Sequence, residues 1–264
     1  MHRTAINMIG HRLLSPDEPL PSRVEQPRGR SPFLLICDHA GNRVPRSLGA
    51  LGLPPDELAR HIAWDIGAAA VAIRLAELLD ATVILQRYSR LVIDCNRPPG
   101  SPQSIVGVSE RTRIPGNENL TSADRARREA EVFAPYHADI VSELDRRRQS
   151  GQPTLLLAMH SFTPVFLDAQ RPWHVGMLYN RDARLAHALG AALRADSELV
   201  VGDNQPYAVS DATDYAIPEY GERRSLPHVE IEIRQDLIDA DAGAQRWAAR
   251  LAGLLPPLAE ALIT

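Results

Sequence analysis

Residues 32–45 read PFLLICDHAGNRVP. After Pro32 the chain is apolar from Phe33 to Cys37 without alternation, the pattern of a β-strand covered on both faces. It then ends abruptly on Asp38-His39, ahead of the turn-rich segment DHAGNRVP, where Gly41 suits a tight turn. A second run, Thr154–Met159 (TLLLAM), ends in the same way on His160-Ser161-Phe162-Thr163. A third strand, His228–Ile233 (HVEIEI), alternates, and period two puts Glu230, Glu232 and Arg234 on one face.

Working outward, further strands are predicted at Thr82–Gln86, Leu91–Cys95, Trp173–Tyr179 and Leu199–Val201. Helical periodicity runs from Asp56 to Leu79, with Ala69, Ala72, Ile73, Ala76 and Leu79 on one face. A helix from Thr121, its N-cap, to about Gln149 has Asp124 in its first turn and is interrupted near Pro135. Others span Asp182–Arg194 and Ala240–Leu262. Two long turn-rich loops, 98–120 and 203–226, are of the kind that often carry function. Strands alternating with helices predict a single-domain α/β fold with a mixed, mainly parallel sheet flanked by helices. Residues 1–30, polar and Pro-rich, read as an extended N-terminal arm, and residues 31–264 as the body.

The chain has 264 residues, 44% of them hydrophobic, and a net charge of −4. That supports one large core and argues against a nucleic-acid or membrane-surface partner. Arg146-Arg147-Arg148 reads as a complement to the dipole at a helix C-terminus. Two cysteines, Cys37 and Cys95, lie in apolar runs, which fits small buried hydrophobes in a reducing compartment. The N-terminus lacks a signal-peptide core and no apolar run reaches bilayer length, so a cytoplasmic protein is expected.

In an open α/β sheet, ligands bind at the carboxyl ends of strands. His39 and His160 both fall there, and imidazoles from separate strand ends suit Zn²⁺. A carboxylate would complete a three-ligand site, with Asp65 (in HIAWDIG) and Asp38 in competition. A metal-free alternative uses Ser161 as nucleophile, although the G-x-S-x-G elbow is absent. Glu230 or Glu232 would serve as general base. Arg97, beside Asn96 in SRLVIDCNRP, suits bidentate capture of a substrate carboxylate.

The segments DHAGNRVP, YSRLVIDCNRPP, PYH, LAMHSF and VEIEIRQDL occur in this order from about Phe33 to Leu237. Together they resemble the N-formylglutamate amidohydrolases, and more distantly the zinc carboxypeptidase and aspartoacylase-like hydrolases with their phosphorylase/hydrolase-type fold. The resemblance implies a cytoplasmic, metal-dependent hydrolase of an N-acyl amino acid acting in amino-acid catabolism, such as histidine degradation. It implies a divalent metal, expected to be Zn, on His39, Asp65 and His160, and Glu232 as base. It further implies Arg90 as oxyanion stabiliser, and Asn96, Arg97 and Arg234 on the substrate. The Glu that carboxypeptidases carry three residues after the first His is Asn42 here. The rival readings are a carboxypeptidase or another deacylase, and a non-catalytic anion-binding protein.

Overall fold

Apolar runs without alternation cannot face water on either side, and the fold places three such strands side by side in the middle of a sheet. The computed structural model describes residues 12–263. Its seven-stranded sheet contains β1 (Ser22–Glu25), β2 (Phe33–Cys37), β3 (Thr82–Gln86), β4 (Leu155–Phe162), β5 (Val175–Leu178), β6 (Val201–Asp203) and β7 (His228–Arg234). The spatial order is β1-β3-β2-β4-β7-β5-β6. β1 runs antiparallel to β3 and β5 antiparallel to β7; the other neighbours are parallel. The sheet is therefore mixed and mainly parallel, as the alternation of patterns predicts.

β2 and β4 send alternate residues to two separate cores, and β7 sends its apolar face to one. On one face Leu35, Leu157 and Ile231 pack under helices α1 (Ala68–Leu79), α4 (Arg184–Arg194) and α5 (Asp241–Ile263). On the other, Leu34, Ile36, Leu156 and Ala158 meet Tyr136, Ile140 and Leu144 of α3 (Ala134–Gln149), together with the buried segment Leu91–Cys95. Helix α2 (Ser122–Arg128) opens with the expected Thr121–Asp124 capping box. A π-helical turn at Glu129–Phe133 joins it to α3 next to Pro135.

Several expectations are corrected. Part of the expected arm belongs to the sheet: β1 pairs along β3, and Leu13 and Leu14 are buried. Residues 1–11 of that arm lie outside the described residues. Leu91–Cys95 is not a strand. Its side chains are buried, but Val92 N–H donates to the Ser89 carbonyl and Asn96 N–H to Asp94 Oδ1, so local turns satisfy the backbone that a strand would pair sideways. The helix expected over 56–79 is broken into Pro55–Ala59 and α1. Gly67 forms the break with φ of 81°, and a Cβ there would lie 2.2 Å from the Ile238 carbonyl oxygen. The buried stripe of α1 is Ala68, Val71, Ala72, Leu75 and Ala76 rather than the one expected, because the helix packs on α5 as well as the sheet. Gly41 has no left-handed φ; it is needed because a Cβ would sit 2.3 Å from the Arg87 carbonyl oxygen. That close approach ties the exits of β2 and β3 together, with Ser89 N–H donating to the Arg43 carbonyl at 2.7 Å.

The arginine run is not a uniform dipole complement. Arg147 is fully buried. Its guanidinium donates to the carbonyls of Ser31 (3.1 Å) and Phe33 (3.0 Å) and to Glu143 Oε1 (2.7 Å). It thereby caps the start of β2, sharing the Ser31 carbonyl with Gln152 and satisfying that of Phe33. Among the described residues, no helix is long and apolar enough to cross a membrane.

Replacing Arg147 by Met removes the side-chain donor to the buried Phe33 carbonyl, while Glu143 keeps Arg146 and the Ser31 carbonyl keeps Gln152, and is expected to lower the unfolding free energy by about 1–3 kcal/mol. Arg148, exposed and 3.9 Å from Asp145, serves as the control; Arg148→Met is expected to change stability by less than about 0.5 kcal/mol. Urea denaturation followed by circular dichroism measures both.

Candidate active site and metal centre

The ends of β2, β4 and β7 bring together the ionisable groups that the apolar runs lead into. In the shared register Ile36 faces Ala158, two residues before Asp38 and His160, and Glu232 lies directly beside His160 across the β4–β7 pair. His160 and Ser161 lie within β4, which continues through Phe162 rather than stopping at Met159. Asp65 arrives from the turn before α1. Its N–H donates to the His39 carbonyl at 2.9 Å, and its Oδ2 accepts from Ser161 N–H at 3.2 Å.

Asp65 Oδ2 is the meeting point. His160 Nδ1 lies 2.9 Å from it and His39 Nδ1 3.4 Å. The far nitrogen of each ring faces another carboxylate. His39 Nε2 donates to Asp94 Oδ1 at 2.7 Å, while His160 Nε2 faces Asp38 Oδ2 at 3.5 Å. Of the two competing carboxylates, Asp65 lies on the shared side of both rings and Asp38 behind one of them. One donor atom from each of His39, Asp65 and His160 lies within 4.8 Å of the others. His39 Nδ1 is buried without a hydrogen-bond partner. Two imidazoles and a carboxylate converging there, backed by outer carboxylates, fit a divalent cation.

The charges explain one another. Burial raises the Asp94 carboxyl, but Arg90 and His39 overcome it and hold the group well below the ordinary carboxylate range. Arg90 Nε and Nη2 both donate to Asp94 Oδ2, at 3.1 and 2.7 Å, and Nη1 lies 3.5 Å from Asp65 Oδ1. Burial and Arg90 disfavour the charged form of His39, yet Asp94 and Asp65 raise its pKa. His160 is likewise raised, against burial, by Glu230, Asp38 and Asp65. The same acidic surroundings that favour protons on these rings favour a metal cation in their place.

A cavity of about 520 Å³ opens over this cluster, lined among others by Arg90, Arg97, Glu230 and Glu232. The two glutamates differ. Glu230 Oε2 accepts from Asn96 Nδ2 at 3.3 Å and lies 3.9 Å from His160 Nε2; burial pushes it up to about 8. Glu232 Oε2 has no hydrogen-bond partner, and burial, reinforced by the Asp65 charge, pushes it up to about 7. Two short β-ribbons flank the opening, Val108–Ser109 with Thr112–Arg113 and Val165–Phe166 with Ala169–Gln170, and an exposed Arg111–Asp168 ion pair links them.

Other expected site residues are placed differently. Arg234 is on the expected face of β7 but does not line the cavity: it pairs with Asp236 at 2.8 Å, because the strand ends there and the chain turns. Asn96 is committed to the protein, its Oδ1 accepting from the N–H groups of Tyr215 (3.1 Å) and Ala216 (3.0 Å). Arg97 lines the cavity, 3.5 Å from Asp214. Ser161 Oγ donates to the Ile66 carbonyl at 2.8 Å rather than to a histidine, which removes the serine-nucleophile alternative. Cys37 and Cys95 are fully buried, and burial raises both thiols. Asn42 donates to the Leu58 carbonyl. His61 lines the cavity beside Glu110, while His137 bonds Tyr220, His174 accepts from Val200 N–H and His228 bonds the Leu226 carbonyl. The pairing of Asp94 and Asp38 with the two histidines was not legible in sequence, where Asp38 read as a competing metal ligand and Asp94 carried no role.

The family model described as N-formylglutamate amidohydrolase matches residues 31–239. A curated N-formylglutamate deformylase from Pseudomonas aeruginosa is 30% identical over 182 residues, which span 64% of this chain and 66% of that protein's length. The solved structure of a gene product from Agrobacterium tumefaciens superposes with a TM-score of 0.92 at 36% identity, covering 96% of this chain and 100% of that one. That of an N-formylglutamate amidohydrolase from Ralstonia eutropha JMP134 gives 0.71 at 21% identity over 93% and 99%, a likeness of fold.

Metal titration of the purified protein is expected to give about one tightly held divalent ion per chain, with His39→Ala abolishing binding. Asp94→Asn, which keeps the volume but weakens the support of His39, is expected to reduce affinity by about 10- to 100-fold. Equilibrium competition with a chromogenic chelator reads both.

Proposed function

Because the chain belongs to the N-formylglutamate amidohydrolase family, we propose that it hydrolyses the amide bond of an N-acyl acidic amino acid, N-formyl-L-glutamate first, to formate and the free amino acid. The observation that carries this reading is Glu232 Oε2, buried and without a hydrogen-bond partner, in the same cavity as His39, Asp65 and His160. Zn²⁺ is the expected metal, since two imidazoles and a carboxylate are among its usual catalytic donors. Held by those three residues, it would polarise the acyl carbonyl and acidify the attacking water.

The chain's own residues do the rest. Glu232 takes a proton from water as the oxygen–carbon bond forms, and returns it to the amine nitrogen as the carbon–nitrogen bond breaks. A pKa raised to about 7 suits a group that must both accept and give a proton near neutrality. Arg90, held rigid by Asp94, presents Nη1 toward the cation side of the cavity, where it stabilises the oxyanion. Arg97 captures a carboxylate of the substrate. Glu230, tied to Asn96, orients rather than reacts. Two buried free thiols support a reducing, cytoplasmic setting.

Glu232→Gln is expected to lower kcat on N-formyl-L-glutamate by about 10²-fold or more while ligand binding persists. A merely binding protein would lose nothing. In the wild type, the base must be ionised, so kcat/KM is expected to rise with pH and level off above about 7. A panel of N-formyl, N-acetyl and dipeptide substrates, with and without chelator, separates deformylase from deacylase and carboxypeptidase. Full turnover after thorough demetallation would refute the metal-dependent reading.

A further inference from the structure

Arg171 follows the ribbon Val165–Phe166/Ala169–Gln170, and its N–H donates to the Pro164 carbonyl at 2.9 Å, which closes that ribbon. Its guanidinium carbon lies 4.7 Å from the ring centre of Phe166 and 4.7 Å from that of Tyr207. Nη1 donates to Tyr207 Oη at 2.8 Å. Phe166 and Tyr207 both line the cavity that holds Glu232. Arg171 adjoins the cavity through these two rings, and the two arginines that line it face carboxylates of the protein: Arg90 is bound by Asp94 and Arg97 faces Asp214. Among the described residues Arg171 makes no ion pair with any Asp or Glu. Its positive charge is held between aromatic faces, which support a cation without neutralising it.

We infer that Arg171 is a specificity-determining residue that binds the side-chain carboxylate of the substrate. The chemistry of the wall matches an acidic side chain along its length. Apolar rings accept the methylenes, and a planar fork with donors to spare accepts the carboxylate at the end. Arg97 is the group read above as holding one carboxylate of the substrate, and an arginine stacked on rings without a protein acid gains a charge-assisted bond from a second. The inference rests on the amidohydrolase reading for the identity of the substrate, and not for the identity of the anion site.

The test compares N-formyl-L-glutamate with N-formyl-L-glutamine, which differ only in that carboxylate. The wild type is expected to prefer the glutamate compound in kcat/KM by about 10- to 100-fold. Arg171→Gln is expected to abolish the preference, through KM more than kcat, and to leave N-formyl-L-glutamine within about threefold of wild type. Arg171→Lys is expected to keep part of it. Calorimetric titration with L-glutamate and L-glutamine, with thermal melts to verify folding, provides a readout independent of turnover. Glutamate affinity lost in Arg171→Gln, in a protein that hydrolyses neither compound, would sustain the anion site and sink the amidohydrolase reading. An equal loss on both substrates, or an intact glutamate preference in Arg171→Gln, would overturn the inference.

Discussion

Five carboxylates, those of Asp38, Asp65, Asp94, Glu230 and Glu232, are buried along one edge of the sheet. Groups so placed cannot all carry charge without compensation, because burial penalises each and neighbours repel. The protein compensates unequally. Arg90 and the two imidazoles keep Asp94 and Asp65 ionised, while the two glutamates of β7 are pushed toward the protonated form. A cation between His39, Asp65 and His160 would add positive charge where the acids are densest. The ligand sphere and the raised base are thus two outcomes of one charge balance.

Topology delivers this balance. Adjacent parallel strands end at the same edge, so β2, β4 and β7 bring their terminal residues together without long loops. The remaining groups come from segments fixed by close backbone approach. Gly67 lets the turn bearing Asp65 pass against Ile238, and Gly41 lets the chain after His39 press on Arg87, which sets the path of residues 88–97. The strand ends position His39 and His160, and the two irregular segments supply Asp65, Asp94 and Arg90, which hold them.

Much of this was legible in the sequence, for a physical reason. An apolar run that stops on His marks a strand end, and both histidines were read that way, whereas period two put Glu230 and Glu232 on one face and the resemblance chose between them. Asp65 and Asp38 competed as the carboxylate that two histidines need, and the resemblance alone chose Asp65. The segment 91–95 was misread because burial and strand pairing leave the same apolar mark, and only the turn bonds of Ser89 and Asp94 distinguish them. Period two placed Arg234 on the correct face, but not at the correct depth. Arg147 and Arg171 were hidden because an arginine's environment is set by distant segments: the start of β2 for one, and Phe166 and Tyr207 for the other.

The link between the two ribbons joins Arg111 and Asp168, which are both largely exposed to solvent. A bond of this kind is weakened by salt and competes with water on either side. Parting the ribbons therefore disturbs none of the buried network beneath them. The link at the mouth is weak, and the network on the floor of the cavity is buried. Ligand exchange and chemistry draw on different parts of the molecule, and the tempo of one can drift in evolution without altering the other.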